Sequence, residues 1–436
     1  MARERFEASS GIMFALALLI GPSVSLCAAP ERGAASDGPR SAGVMHLTLD
    51  QVKDLALENN KLLELGRLNV VEKHHVARAA KKDYFPKVLG TLTYLRFDDD
   101  LGTVLTTPGV LLPAVTVPVN VVNRDVPMAT VLMVQPITKL IAVSAAVDLA
   151  KADEGIASAQ LDKGTRDLLS GVTQAYYGLF AMQQIQAALK LQAGMAEPLL
   201  KANPTPELRL GALELRKGFV ETEKQIAELT EQLNQLIGLA PGTTLELTEA
   251  PLPPVLVASA DEAAQLALAK SPQVCEAQQN ITKGRAGLRV AKMDYLPDVY
   301  VFGGWVSQGA ADYIQDNFAM VGVHASIKIF EWGKRKDIQR QRETQIAMAI
   351  GNVEAVRETV QLEARKAYLA FKQAEQDLEI ATETVAARQD AEKEAKALPE
   401  VLAAKAATAK AQLEQMQAEV KLRLAHTQLR AIIDES

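Results

Sequence analysis

The 436-residue chain is poor in aromatics, which make up 5% of it, and has only two cysteines. It also lacks a basic excess, the formal net charge being -6 at pH 7. Nucleic-acid recognition rests on Lys and Arg neutralising phosphates, and neither this charge nor any basic run supplies them. Partners of that kind are excluded. No phosphate loop, Gly-x-Ser-x-Gly or His-Glu-x-x-His pattern occurs, so no enzyme chemistry, catalytic residue or cofactor is expected. No metal site is expected either: Glu72, His74 and His75 are neighbours on one helix, where successive side chains point apart, and they read as a solvated face. Past the N-terminus, no apolar run approaches the ~20 residues of a transmembrane helix.

What is abundant is Ala, Leu, Gln, Glu and Lys in both halves, with little Gly or Pro over long stretches. That composition signals long helices in lateral contact. Residues 1–29 read as a secretory signal: Arg3 and Arg5 form the charged region, Ile12 to Ile20 the apolar core, and Ser25-Leu26-Cys27-Ala28-Ala29 the cleavage zone. Cys27 as a lipidated N-terminus is the alternative to plain cleavage, but Leu26 stands where a lipoprotein signal has a small residue. Cys275 is then alone in the mature chain and forms no intrachain disulfide; it reads as a small buried side chain on a helix. Residues 30–46 follow as a flexible segment.

The rest is duplicated, with a first repeat at 47–250 and a second at 251–436. Ala80-Lys81-Lys82-Asp83-Tyr84-Phe85-Pro86-Lys87-Val88 recurs as Ala291-Lys292-Met293-Asp294-Tyr295-Leu296-Pro297-Asp298-Val299, identical at six of nine positions. At the same offset of 211, Leu55-Ala56-Leu57 matches Leu266-Ala267-Leu268. Farther on, the offset falls to 193 and then 192, so the first copy carries 18 extra residues between its two apolar segments.

Each copy opens with a helical segment, Leu49 to Tyr84 or Asp261 to Tyr295, that ends at Tyr-x-Pro because proline cannot continue a helix. Ser271-Pro272 splits the second of these. The apolar period then changes to two. Ala319, Val321, Val323, Ala325, Ile327 and Ile329 alternate with Met320, Gly322, His324, Ser326 and Lys328, and Val299 to Val306 is the partner strand. Copy one places strands at Lys87 to Phe97 and Ala129 to Gln135 around a long loop. Proline-free stretches follow, from Pro136 to Pro198 and from Pro297 to Pro399, giving helices of about 60 residues, or roughly 90 Å. Partner helices return at Leu208 to Gly238 and Glu400 to Ile433.

Four strands in two hairpins leave open edges, and a sheet in lipid must close. Three copies close it as a 12-stranded barrel, with outward residues apolar and inward ones polar. Val321, Val323 and Ile327 then form the lipid face, and Tyr94, Trp305 and Trp332 are candidate interfacial aromatics.

The duplicated Tyr-x-Pro, the segment Ile329-Phe330-Glu331-Trp332-Gly333-Lys334-Arg335 and the helical Glu400-Val401-Leu402-Ala403-Ala404 together resemble the TolC-like outer-membrane efflux protein family, the outer membrane factors. The resemblance covers nearly the whole mature chain. It implies a mainly α fold with a small β part: long helical hairpins forming a tunnel, and four strands per chain in a trimeric transmembrane β-barrel. It implies a homotrimer in bacterial outer-membrane lipid with its helices in the periplasm. Docked on a periplasmic adaptor and an inner-membrane pump, it would be the passive channel of a tripartite efflux or type I secretion system. A periplasmic adaptor and a coiled-coil scaffold are the competing readings; an adaptor has a single hairpin between lipoyl-like halves, and a scaffold needs no lipid-facing alternation.

The resemblance also implies a periplasmic gate at the helical tips. Glu400 aligns with the first ring acid, Lys396 stands where an Arg would be, and Arg209, two residues after Glu207, occupies the matching acid position of copy one. Solvated charges at a turn are the alternative. Two departures stand out: Gln135-Pro136-Ile137 lacks the aromatic and glycine pair of the strand-to-helix junction, and neither tip carries the adaptor-docking glycine pattern.

Overall fold

A computed structural model describes residues 45–106, 116–202, 205–248, 257–311, 314–394 and 398–433. The signal at 1–29, Cys27 and most of the segment at 30–46 lie outside the described residues. Residues 44–436 form one compact unit.

The chain enters through strand β1 (Met45–Leu47), which pairs in parallel with β6 (Leu245–Leu247). Met45 thus corrects the flexible assignment at its last residues, because backbone pairing to β6 gives them a fixed partner. Helix α1 (Leu49–Asn59) follows, opened by a capping box in which Thr48 Oγ1 accepts from the Gln51 amide and Gln51 Oε1 accepts from the Thr48 amide. Helix α2 (Lys61–Lys82) is separated from α1 by Asn60, whose Oδ1 accepts from the amides of Leu62 and Leu63. The first copy is therefore split where the sequence suggested one helix. In the second copy α5 (Ala260–Lys270) and α6 (Pro272–Met293) are divided by Ser271 as expected.

The long helices are α3 (Lys139–Ala202), 64 residues, and α7 (Lys334–Glu394), 61 residues. Helix α3 runs four residues past Pro198, at its last turn. Their return partners are α4 (Pro206–Ile237) and α8 (Leu398–Ile433). Gly238 ends α4 at φ 72, and a Cβ there would meet Asn59 Cβ at 2.8 Å, so only glycine fits between that turn and α1.

Helices pack side by side in the order α2–α3–α6–α7 toward the sheet and α4–α3–α8–α7 toward the tips. Where the halves meet, each repeat builds its own core. Val52 and Ala56 of α1 pack on Val172, Tyr176 and Leu179 of α3 and on Leu233 and Ile237 of α4. In the second repeat, Ala263 of α5 packs on Ala367 and Phe371 of α7 and on Leu429 and Ile433 of α8. The duplicated sequence thus folds as two copies of one packing unit, and burial of these apolar stripes holds the long helices in register.

The strands β2 (Lys87–Arg96), β5 (Asp125–Pro136), β7 (Asp298–Gln308) and β8 (Asn317–Ser326) form one antiparallel sheet in the order β2–β5–β7–β8. The strands of copies one and two are thereby joined across β5 and β7. The 18-residue excess of copy one is also structured: β3 (Leu101–Thr106) and β4 (Thr116–Val122) pair as a hairpin within the segment expected to be loop. Strand β8 stops at Ser326, opposite Asp298, the first residue of β7. Beyond it Ile327 to Glu331 have no neighbour in the ladder, so the strand expected to reach Ile329 is shorter.

Candidate functional site

Residues directly opposite each other in an antiparallel ladder share a face. Tracing Val323 across the sheet reaches Val301 and then Gln135; tracing Val321 reaches Gly303, Met133 and Val88. Trp305 lies between Ala319 and Val131. This face is apolar and open: Val321 is 84% exposed, Val323 69% and Trp305 52%. Tyr94 is on it too, donating to Asp125 Oδ1 at 2.7 Å at the end of β2 away from the helices. Ile327 is exposed but lies past the last ladder pair and borders the junction cleft with Ser326 and Lys328, so it is not a strand residue.

The opposite face is less exposed and carries Leu132, Val134, Tyr300, Phe302, Met320 and His324. Charged side chains occur on it only at the helical rim, at Lys87 and Asp298. The inner face expected to be mostly polar is therefore corrected: in β8 it carries Ser326, His324 and Gly322 beside Met320 and Phe318, and β5 and β7 are largely apolar on both faces.

The junction between sheet and helices brings together two of the segments singled out in the sequence. Arg335 Nε donates to Glu331 Oε2 at 2.6 Å, Arg335 also donates to the Lys328 carbonyl, and its guanidinium lies 5.7 Å from the ring centre of Tyr295 in Tyr-x-Pro. The hydrogen bond from Arg335 holds the Glu331 carboxyl below its ordinary pKa. Trp332 has φ 52, in the left-handed region, followed by Gly333 at φ 84, and its ring meets Phe330 edge-on at 4.8 Å. Trp332 is 89% exposed and lies at the helical end of the sheet, away from Tyr94 and Trp305. Beside it a cleft of about 510 Å³ is lined by Asp83, Lys87, Lys139 and Asp298, paired as Lys87–Asp83 at 3.0 Å and Lys139–Asp298 at 3.8 Å.

At the far tips, Arg209 is exposed in the first turn of α4, its amide bonded to the Thr205 carbonyl at 3.1 Å. Glu207 and Glu400 fall in the first turns of α4 and α8. Lys396 and Pro204 lie outside the described residues. His74 Nδ1 meets Glu154 at 2.8 Å across α2 and α3, and His75 is turned from it at 64° between rings. Cys275, expected to be buried, is exposed on α6.

A family model described as outer membrane efflux protein matches residues 263–434. The matched residues lie within the second repeat. No curated protein sequence matches significantly. Among solved structures, a membrane protein from Pseudomonas aeruginosa superposes with a TM-score of 0.72 at 14% identity, covering 88% of this chain and 93% of that one. The open state of the MtrE outer membrane channel of Neisseria gonorrhoeae gives 0.72 at 12% identity, covering 88% of each. The outer membrane protein VceC of Vibrio cholerae gives 0.69 at 14%, covering 88% of this chain and 95% of that one. The fold is thus TolC-like over both repeats, and the proteins it resembles include outer-membrane channels.

Proposed function

We propose that three copies of this chain assemble into a passive export duct across the outer membrane and periplasm, serving a pump held by a periplasmic adaptor. The observation that carries this is the sheet: β2 and β8 are its outer strands, neither paired on its far side among the described residues, while one face is apolar and exposed. In lipid such edges must be satisfied, and cyclic pairing of β8 with β2 of a neighbour satisfies all of them. The outer-face aromatics Tyr94 and Trp305 at one end and the exposed Trp332 at the other suit the two membrane interfaces. The helices repeat the pattern, since α2 ends one side of the array with exposed Leu62, Leu65 and Leu68, and α7 ends the other with exposed Leu362 and Leu369. Each would cover its counterpart on the next copy.

The experiment is fractionation followed by electrophoresis with and without boiling. The expected result is an outer-membrane species near three times the monomer mass that collapses on heating. A soluble periplasmic monomer would reject the duct and favour an adaptor or scaffold. The gate at Glu207, Arg209, Lys396 and Glu400 belongs to the same proposal, supported by the place of Glu207, Arg209 and Glu400 in the first turns of the return helices α4 and α8.

A further inference from the structure

Resting on the trimeric-duct reading, we infer that the inner wall of the barrel carries an aromatic station, built from Tyr300, Phe302 and His324 and repeated once per protomer, that binds uncharged planar aromatic solutes in transit. Tyr300 and His324 are ladder partners on adjacent strands, and their rings stack with centroids 4.7 Å apart and 22° between planes. Phe302 is the next residue on that face, 6.2 Å from Tyr300. Its ring lies over Gly322 so closely that a Cβ there would sit 2.6 Å from Phe302 Cζ. Glycine at 322 thus lets the ring lie flat against the wall.

All three rings belong to the face opposite Val321 and Val323, and each is only partly covered within the protomer. Three aromatic side chains left in contact with solvent in a pore present π-faces that a planar solute can stack on, and such pairs favour offset or edge contacts beyond simple area burial. Charge decides which solutes fit. On this face of β2, β5, β7 and β8 the charged side chains are Lys87, on the rung of Phe302 through Val134, and Asp298, two residues before Tyr300; Asp83 pairs with Lys87 at 3.0 Å. Lys139 offsets Asp298 at 3.8 Å. With both charges already paired, an ion gains no free counter-charge at the station, whereas a neutral ring keeps its full stacking contact.

The test is saturation-transfer NMR on the detergent-solubilised trimer with benzamide and cyclohexanecarboxamide, two uncharged amides that differ in aromaticity. Benzamide is expected to show the stronger transfer. Tyr300→Leu and Phe302→Leu should each reduce its signal about threefold to tenfold, while Tyr300→Phe retains it and Val131→Leu, on the outer face, leaves it unchanged. Equal transfer to both amides in the wild type, or an undiminished benzamide signal in both assembled leucine variants, overturns the station. Should either leucine variant fail to run as a trimer, the wild-type amide comparison decides alone. A wild-type protein that runs as a monomer rejects the duct instead, which is a separate failure.

Discussion

Tyr176 and Tyr368 make the same hydrogen bond in the two halves of the molecule: Tyr176 Oη donates to the Leu47 carbonyl at 3.2 Å and Tyr368 Oη to the Ala258 carbonyl at 2.9 Å. Each acceptor immediately precedes the N-cap of a short helix, Thr48 for α1 and Ser259 for α5. A long helix thereby fixes the point at which the short helix begins.

The two contacts differ in burial, and this sets the first prediction. Tyr176 is fully buried and also donates to the Thr248 carbonyl, tying β1 and β6 to α3. Burial raises its pKa above the ordinary value, so the hydroxyl remains a donor. Tyr176→Phe leaves those carbonyls short of a partner and should cost about 1–3 kcal/mol, whereas Tyr368→Phe, whose acceptor is open to water, should cost about 1 kcal/mol or less. Thermal or urea melts of the two variants measure the difference.

The ladder register gives the second. Val323 faces outward beside Val301, and Ser326 faces inward at the helical rim. Val323→Arg should weaken assembly by about 2–4 kcal/mol if it sits at mid-membrane, and Ser326→Arg should be milder. The yield of heat-modifiable trimer reports both, and equal loss rejects the assigned register.

A third concerns acid. Glu331 has a folded pKa below its ordinary 4.5, chiefly through the Arg335 hydrogen bond. Its contribution is present above the ordinary value and lost as pH falls through the folded one. Trp332 emission, read in a Trp305→Phe background, should therefore be constant above about pH 4.5 and change below it. Glu331→Gln should abolish that transition; an identical acid change in the Gln variant would dissociate it from the Glu331–Arg335 pair.

The tips supply the fourth. Arg209→Glu adds negative charge at the first turn of α4 and should raise conductance in planar bilayers by repulsion. Glu400→Ala should reduce block by divalent cations applied on the tip side. Unchanged conductance and unchanged cation sensitivity in both variants would leave these residues as solvated charges.

Much of this architecture was legible because it rests on strong local signals. Pro86 and Pro297 mark the two helix-to-strand junctions, and β2 and β7 begin one residue later. Ser271-Pro272 marked one helix break. Its counterpart at Asn60 has no proline, and only Asn59-Asn60 hinted at it; the tertiary partner, Asn60 Nδ2 donating to the Leu236 carbonyl at 3.1 Å, has no trace in local pattern. Strands β1 and β6 are three residues each and pair across 200 positions, too short for a period to register. The inner face was misjudged for a related reason. Alternation is clear in β8, but β5 reads Val126, Met128, Thr130, Leu132 and Val134 on one face and Val131 and Met133 on the other, so only the ladder separates them.

The open edges of the sheet have a genetic consequence. Because β2 and β8 lie at opposite ends of one protomer, each chain in a ring would be donor on one side and recipient on the other, and a single faulty copy would break both of its seams. An allele whose product still enters the ring but fails at its seams would then, expressed at parity with wild type, leave about one ring in eight free of the altered chain under random mixing. Loss of export in such a merodiploid would be dominant, although the normal gene is intact.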